Sequence, residues 1–211
     1  PVEYKFEGIN QVQTHVQVGR TFASTLRSFL RQDPDVIMVG EIRDNETAEI
    51  CLRAALTGHF VLSTLHTNHA LAALPRLRDM GIEPFLLAST LRVVVAQRLI
   101  RRLCKDCREA YELDAESSAR FGIEQGAKIY RAPGCGNCQN KGYRGRVGVF
   151  EVVRLTKQLS DLVQRRVPMD ELCNAVIDQG MKFLSHSAID KVLQGLTSLE
   201  EALTITISDE G

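Results

Sequence analysis

The sequence predicts an α/β domain with a parallel sheet, followed by a small cysteine-rich module and a mainly helical C-terminal region. Two short apolar runs, Val36–Val39 and residues 60–64, lie between segments with helical periodicity. Strands that alternate with helices in this way indicate a parallel sheet. Four cysteines and many glycines crowd the next stretch, and helical periodicity returns after it. The predicted regions are therefore residues 1–103, 104–148 and 149–211.

The composition is that of an ordinary globular protein, with 44% hydrophobic and 25% charged residues. Basic and acidic residues number 26 each, and a zero net charge argues against a dedicated nucleic-acid binder. No apolar run approaches the ~20 residues that span a bilayer. The N-terminus lacks a signal-peptide pattern, so we expect a cytoplasmic protein. In that compartment the six cysteines are expected to be thiols or metal ligands rather than disulfides.

The first predicted elements are a helix and a strand. Thr21 can cap a helix that continues to Gln32, because apolar side chains recur on one side of it and Pro34 ends it. The run Val36–Val39 is short, apolar and rich in β-branched residues. This pattern predicts a strand that is buried on both faces.

The next segment repeats the order of helix and strand. Asp44 caps a predicted helix, and Gly58 supplies its C-terminal stop. Residues 60–64 then form a second predicted buried strand. A third helix is predicted for residues 69–80, with a kink at Pro75.

The C-terminal part is predicted to contain one strand and several short helices. The strand covers residues 147–155. The predicted helices cover residues 157–165, 169–178, 187–193 and 199–205. The module before them shows little helical periodicity, so something other than a hydrophobic core is expected to hold it together.

Glu41 is the first candidate site residue, because it closely follows the first predicted strand. Ligands of open α/β sheets bind beyond the carboxyl ends of the strands. A carboxylate in that place can hold Mg²⁺ or orient an attacking water for phosphoryl transfer. A surface glutamate without a function is the alternative.

A second polar group follows the next predicted strand, where His66, Thr67 and Asn68 are consecutive. Two neighbouring strands that end in polar groups at the same edge could share one phosphate site. A histidine with a purely structural role is the alternative here.

Arg27 and Arg31 lie four residues apart on the first predicted helix and so share one of its faces. A solvated, charged helix face explains them without any function. Contact with phosphate, across a subunit boundary as an arginine finger, is the functional interpretation.

The strongest spacing signal is the pair of motifs Cys104-x2-Cys107 and Cys135-x2-Cys138. Each motif offers two ligands from one tight turn, and four thiolates complete a tetrahedral Zn²⁺ site. Redox-active dithiols and unligated thiols remain alternatives, since the loop between the motifs is longer than the commonest spacing of zinc ribbons.

Basic residues surround these cysteines: Arg98, Arg101, Arg102, Lys105, Arg108, Lys141, Arg144 and Arg146. They could compensate the charge of a thiolate site, or form a surface for a partner or for lipid headgroups. The two other cysteines, Cys51 and Cys173, lie on predicted helices and are expected to be buried small apolar residues.

Several segments together resemble the type II/type IV secretion-system ATPase family. Residues 30–44 (Leu-Arg-Gln-Asp-Pro-Asp-Val-Ile-Met-Val-Gly-Glu-Ile-Arg-Asp) resemble its Walker B region. Thr57-Gly58-His59 and residues 63–68 (Ser-Thr-Leu-His-Thr-Asn) resemble its histidine box. The tetracysteine module is similar to that of its secretion and pilus-extension members. Further similar segments follow in order at residues 76–83, 96–99, 141–146 and 195–202.

The resemblance implies a RecA-like P-loop NTPase core that hydrolyses ATP with Mg²⁺. By position, Glu41 would be the Walker B carboxylate, and His59 and His66 would sense or contact the γ-phosphate. The cysteines of the two motifs would hold zinc. Residues implied in nucleotide, phosphate or intersubunit contacts are Arg27, Arg31, Arg43, Arg76 and Glu3.

Members of this family form hexameric rings and drive type II protein secretion or type IV pilus assembly. They act at the cytoplasmic face of the inner membrane, on an integral-membrane platform protein. The resemblance therefore implies a homo-oligomer that is peripheral at that membrane, with no nucleic-acid partner.

One motif of the family does not occur in this sequence: the phosphate-binding loop G-x-x-x-x-G-K-[ST]. In the family this loop lies upstream, so the core is expected to be truncated at its N-terminal side. Without the loop, we expect this chain alone neither to bind ATP tightly nor to hydrolyse it. We also expect an exposed apolar edge of the sheet, which favours association.

Two other functions remain open at this point. A zinc-ribbon-type module could recruit a membrane platform partner through its basic rim without using ATP. A DNA-translocating member of the wider superfamily would show a strong, salt-dependent affinity for DNA. The neutral net charge counts against the second of these.

Overall fold

The computed structural model describes residues 2–209, with side chains as far as residue 205. Residue 1, where the first predicted region begins, and residues 210 and 211, where the last one ends, lie outside the described residues. The chain forms two compact units, each assembled from separate stretches of sequence. The first unit contains residues 1–67, 71–93 and 154–175, and the second contains residues 68–70, 94–153 and 176–211. The predicted boundaries at residues 103 and 148 stay a prediction.

Helices and strands alternate through the N-terminal half of the described chain, and helices dominate its end. In chain order the elements are α1 (Phe22–Phe29), β1 (Val36–Val39), α2 (Asn45–Leu56), β2 (Phe60–Ser63), α3 (Ala73–Asp79), α4 (Pro84–Thr90), β3 (Val93–Leu103), β4 (Glu109–Glu112), α5 (Ala115–Phe121), β5 (Lys128–Arg131), β6 (Tyr143–Arg154), α6 (Lys157–Arg165), α7 (Met169–Asp178), α8 (Leu184–Leu193) and α9 (Leu199–Asp209). Within residues 2–209, no helix combines the length and the hydrophobicity that crossing a membrane requires.

The caps predicted from the sequence begin the first two helices. The Thr21 hydroxyl accepts the backbone N–H of Ser24, and the Ser24 hydroxyl accepts that of Thr21, which completes a capping box. The Asp44 carboxylate accepts the backbone N–H of Thr47 at 2.8 Å. The predicted helices are confirmed, although the last turn of the first one tightens into a 3-10 helix, Leu30–Gln32.

β1 and β2 pair in parallel, with Val36 opposite Phe60 and Met38 opposite Leu62. The predicted parallel pairing is confirmed, but the prediction that both strands are buried on both faces is wrong. Val36 is 60% exposed, Met38 71% and Phe60 58%, whereas Ile37 and Val39 on the other face of β1 are buried. Since side chains alternate across a strand, one face of this strand pair packs on the core and the other presents apolar side chains.

One further prediction needs correction, and one helix of the first unit was not predicted. The third helix begins at Ala73 rather than residue 69, so Pro75 lies in its first turn, where a missing N–H costs little. α4, with Pro84 at its first position, was not predicted. In the same unit, α4 packs against α6, and the predicted bounds of α6 are confirmed.

The second unit contains two strand pairs and the last two helices, α8 and α9. β3 pairs with β6, and β4 pairs antiparallel with β5. The predicted strand 147–155 corresponds to the second part of the longer β6, which ends at Arg154, and α5 lies in the module whose sequence shows little helical periodicity. α8 begins at Leu184, three residues before its predicted start.

A buried carboxylate joins α9 to β3 within the second unit. Glu201 is 8% exposed, and its oxygens accept the Arg101 backbone N–H at 2.8 Å and the guanidinium at 2.8 and 2.6 Å. The guanidinium also lies over the Tyr143 ring, 4.2 Å from its centre. Burial would raise the pKa of Glu201, but the bonds from Arg101 outweigh it and hold the pKa below 4.5.

We expect Glu201→Gln to lower the free energy of unfolding by about 2 kcal/mol at neutral pH, as hydrogen bonds to a charged group are lost. A carboxylate whose pKa is lower in the folded than in the unfolded state stabilises the folded protein at pH values above its unfolded-state pKa. This stabilisation is lost as the pH falls through the folded-state pKa. The acid loss of stability should therefore be smaller in the variant. Urea unfolding at neutral and acidic pH measures both effects, and equal unfolding curves at neutral pH would contradict the expectation.

Candidate functional site

Three of the predicted site residues meet beyond the carboxyl ends of β1 and β2. The Glu41 carboxylate follows β1, and the His66 ring follows β2. Glu41 Oε2 lies 3.1 Å from His66 Nε2 and 2.6 Å from Arg43 Nε. The meeting follows from topology, because parallel strands present their carboxyl ends at the same edge of a sheet.

The carboxylate in this cluster is held in its ionised form. Glu41 is 9% exposed as a residue. The bond from Arg43, and after it the bond from His66, lowers the pKa of the Glu41 carboxyl below its ordinary value of 4.5. A carboxylate that stays ionised near neutral pH suits cation binding and the orientation of water better than proton storage.

Thr64 connects the two strand ends and was not predicted as a site residue. Its hydroxyl donates to the Gly40 carbonyl at 2.7 Å, and its own carbonyl accepts the Ile42 N–H at 3.0 Å. Glu41 lies between these two bonded residues, so its backbone is held on both sides. The only sequence signal for this role is a hydroxyl residue at the end of a strand.

His59 lies at the other end of β2, away from this cluster. Its Nδ1 is 3.0 Å from the Ala54 carbonyl and 3.2 Å from the Thr57 hydroxyl. The four residues of β2, about 13 Å of extended chain, separate His59 from the edge where Glu41 and His66 meet. Its assignment to the histidine box stays a prediction.

The other predicted contact residues are also placed elsewhere. Arg27 pairs with Glu46 at 2.6 Å, and both side chains are more than half exposed. Arg31, Arg76 and Glu3 lie on the surface. In the part of the chain that the structure describes, none of these residues bonds to Glu41. Their roles in phosphate or intersubunit contacts stay predictions.

The four cysteines of the two motifs form one cluster, in which all sulfurs lie within 4.8 Å of one another. The Sγ atoms of Cys104 and Cys135 are 4.0 Å apart, and those of Cys107 and Cys138 are 3.8 Å apart. Sulfurs that surround a zinc ion tetrahedrally at ~2.3 Å are about 3.8 Å from each other. All four are free thiols, and the cluster could hold a metal ion.

Two backbone N–H groups in and after the second motif donate to the sulfur of Cys138. The backbone N–H groups of Cys135 and Gly142 each donate to Cys138 Sγ at 3.2 Å. Burial would raise the pKa of Cys138, but these donors bring it down to about 7. Gly142 has a φ of 73°, and a Cβ there would lie 2.5 Å from the Ala132 carbonyl oxygen, so the turn requires glycine.

Burial and the neighbouring Cys135 thiol raise the pKa of Cys107 to about 12. Sulfurs this close to one another cannot all be anionic unless a cation lies among them. The donor set therefore fits a metal ion better than a set of independent thiols.

The remaining cysteines lie outside this cluster. Cys51 on α2 is 2% exposed, as predicted, and burial raises the pKa of its thiol to about 11. Cys173 on α7 is half-buried rather than buried, so that prediction is wrong in degree.

Three arginines of the predicted basic rim have partners within the protein, and Arg98 is one of them, with a bond to Asn68. Arg101 pairs with Glu201, and the Arg108 guanidinium lies 4.6 Å from the centre of the Tyr130 ring. Arg108 also donates to the Gly195 carbonyl at 2.5 Å. Arg108 thus bonds to the turn between α8 and α9, and Arg101 bonds to α9 itself, which makes both side chains less available to a partner or a lipid.

Sequence comparison identifies relatives over nearly the whole chain. The family described as "Type II/IV secretion system protein" matches residues 1–204. The chain is 49% identical over 208 residues to "Type II secretion system ATPase E" of Vibrio cholerae, and this match covers 98% of the chain and 41% of that protein. It is 48% identical over 214 residues to "Type IV pilus assembly ATPase PilB" of Myxococcus xanthus, a match that covers 99% and 38%. The chain thus spans about two fifths of these relatives' length.

Solved structures of a pilus retraction motor and of an ATPase share the fold. The crystal structure of the pilus retraction motor PilT with bound ADP is 28% identical, with a TM-score of 0.63, and the match covers 89% of this chain and 45% of that one. The ATPase DotB of Legionella pneumophila is 22% identical, with a TM-score of 0.67 and coverage of 99% and 50%. The predicted RecA-like α/β fold is confirmed.

Proposed function

Because the chain belongs to the type II/IV secretion system protein family, we propose that it is part of a motor ATPase that drives type II protein secretion or type IV pilus assembly. The observation that carries the proposal is the cluster of Glu41, Arg43 and His66 at the carboxyl edge of β1 and β2. Phosphoryl transfer needs an ionised carboxylate and a polar phosphate contact in such a place.

In the proposed reaction Glu41, His66 and Arg43 have different roles at the γ-phosphate. Glu41 holds the Mg²⁺ of MgATP, directly or through water, and orients the attacking water. His66 donates to the γ-phosphate, and its contact with Glu41 supports both roles. Arg43 keeps the carboxylate ionised through its bond to Oε2. Mg²⁺ supplies the neutralisation of charge that develops on the phosphate oxygens.

The activity belongs, in this proposal, to a protein that also contains a phosphate-binding loop. That motif does not occur among these residues, and the chain spans 41% of the length of the secretion ATPase of Vibrio cholerae. Backbone N–H groups of such a loop cradle the phosphates. We therefore propose that this chain by itself has little or no ATPase activity.

We propose that Cys104, Cys107, Cys135 and Cys138 hold Zn²⁺ in a structural site. Four sulfur ligands leave no open coordination position, which is typical of structural rather than catalytic zinc. The separations of the sulfurs support this assignment. The alternative, a module whose main role is to recruit a partner through its basic rim, is less supported, because Arg101 and Arg108 bond within the unit.

For the assembly we propose a homo-oligomer, hexameric as in other family members. Its place would be the cytoplasmic face of the inner membrane, where it would act on an integral-membrane platform protein. We propose no nucleic-acid partner.

Steady-state ATP hydrolysis tests the proposed function. We expect turnover by the same protein extended upstream to include a phosphate-binding loop, and turnover at least about a hundredfold lower by the present chain. The comparison is made at matched protein and zinc concentrations. An extended protein that is folded and oligomeric but does not hydrolyse ATP would overturn the proposal.

A further inference from the structure

A fully buried carboxylate, Glu151, lies on β6 and has no part in the proposed reaction. It is 1% exposed, between Val149 at 0% and Val153 at 1%. Alternate residues of a strand face the same side, so Glu151 interrupts a row of buried valines. Burying a carboxylate costs on the order of several kcal/mol unless it is bonded. A valine would fill this position at a lower free-energy cost. The contacts of the carboxylate are therefore important.

One contact of Glu151 is a backbone group from a distant part of the sequence. Its Oε1 accepts the backbone N–H of Ala70 at 2.9 Å, and Ala70 is itself 0% exposed. Two residues earlier, Asn68 Oδ1 accepts a hydrogen bond from Arg98 on β3 at 2.9 Å. β3 and β6 are paired, so one strand pair holds residues 68–70.

Residues 64–72 connect β2 to α3 without regular secondary structure, and they carry His66. A segment without a repeating hydrogen-bond pattern is placed by the few groups that bond to it. At its start the anchor is Thr64, which bonds to Gly40 and Ile42. Towards its end the anchor is the bond between Ala70 and Glu151. His66 lies between the two anchors.

We propose that Glu151 is a positioning residue, which holds the backbone of Ala70 and thereby restrains the segment, residues 64–72, that carries His66. The structural part of this inference stands on the contacts above, and its catalytic part rests on the proposed function. A displacement of ~1 Å at a reacting group can lower a rate by about a hundredfold. A lost anchor four residues from His66 would loosen the segment that carries it, and we expect such a displacement to follow.

Amide hydrogen exchange in the present chain tests the structural part. Glu151→Ala removes the acceptor, and we expect about tenfold faster exchange at Ala70, because one bond to a charged group is lost. Val153→Ala is the matched control, since Val153 shares the strand, the face and the burial of Glu151. Both variants are measured well below their unfolding temperatures. Equal exchange in the two variants would overturn the proposal.

Glu151→Gln provides a second variant if Glu151→Ala fails to fold. The amide keeps an oxygen that can accept the Ala70 N–H, so its exchange should lie between those of the wild type and Glu151→Ala. If the position required only a negative charge, Glu151→Gln would increase exchange at Ala70 as much as Glu151→Ala does. That result would also contradict the proposal.

ATP hydrolysis by the longer protein tests the catalytic part. We expect Glu151→Ala to lower kcat about tenfold at an unchanged KM for ATP, with partial rescue by Gln and little effect of Val153→Ala. If the wild type itself does not hydrolyse ATP, the proposed function fails, while the exchange experiment still decides the role of Glu151. If the wild type is active and Glu151→Ala behaves like Val153→Ala, the inference is wrong.

Discussion

Glu41→Gln in the longer, loop-containing protein is expected to lower kcat for ATP hydrolysis by about two to four orders of magnitude. The amide has nearly the shape of the carboxylate but carries no charge, so it binds Mg²⁺ weakly and orients water poorly. It also removes the charged partner of Arg43 and His66. If ATP binding depends mainly on the phosphate-binding loop, KM should change little.

The control is Glu49→Gln on α2, which makes the same chemical change in an exposed pair with Arg53. An exposed pair of this kind contributes at most about 1 kcal/mol to stability, so the control should keep wild-type turnover. Both variants are compared by steady-state hydrolysis and by thermal unfolding. Wild-type turnover in folded Glu41→Gln would show that Glu41 does not carry the reaction.

Removal of the metal is expected to unfold the cysteine module of the present chain. Four-thiolate zinc sites bind with roughly 10–16 kcal/mol, which is comparable to the entire stability of a small domain. Between Cys107 and Cys135 the module holds one short helix and one pair of four-residue strands. Such elements are not stable alone. Loss of the metal should therefore lower the unfolding temperature and increase exchange throughout residues 104–142.

Loss of the metal should also loosen the start of α9, because the turn that contains Cys138 is connected to that region through Tyr143. Gly142 donates to Cys138 Sγ, and the next residue, Tyr143, has its hydroxyl 2.7 Å from that of Ser198. The Tyr143 ring also lies under Arg101, which holds Glu201 on α9. Residues 195–205 should therefore exchange faster once the metal is removed.

Metal content measured by mass spectrometry, before and after chelation, gives the readout together with exchange. Cys138→Ala should lose the bound metal, and Cys51→Ala should keep it, since Cys51 is a buried thiol outside the cluster. A zinc-supplemented protein that contains no metal and is unaffected by a chelator would support unligated thiols instead.

Local signals explain what could be predicted from the sequence. The side chains of Thr21 and Asp44 cap helices by bonds to residues three positions away, so their roles can be predicted from a few neighbouring residues. The two Cys-x2-Cys motifs each form one tight turn, and their four sulfurs meet as the spacing predicted. Glu41 and His66 were predicted at one sheet edge because parallel strands must end there together, and the structure places them 3.1 Å apart.

The tertiary structure alone decided the contacts between distant residues. Glu151 bonds to a residue 81 positions away, and Glu201 to one 100 positions away; neither is marked by any local pattern. The exposed face of β1 and β2 is likewise a matter of what packs against it, which periodicity does not specify. Capping, turn chemistry and ligand spacing are properties of short segments, so the sequence by itself predicted most of the elements and the cluster of four cysteines. Burial and long-range hydrogen bonds arise only when segments pack together, and for that reason the anchors of His66 and of α9 became visible only in the folded chain.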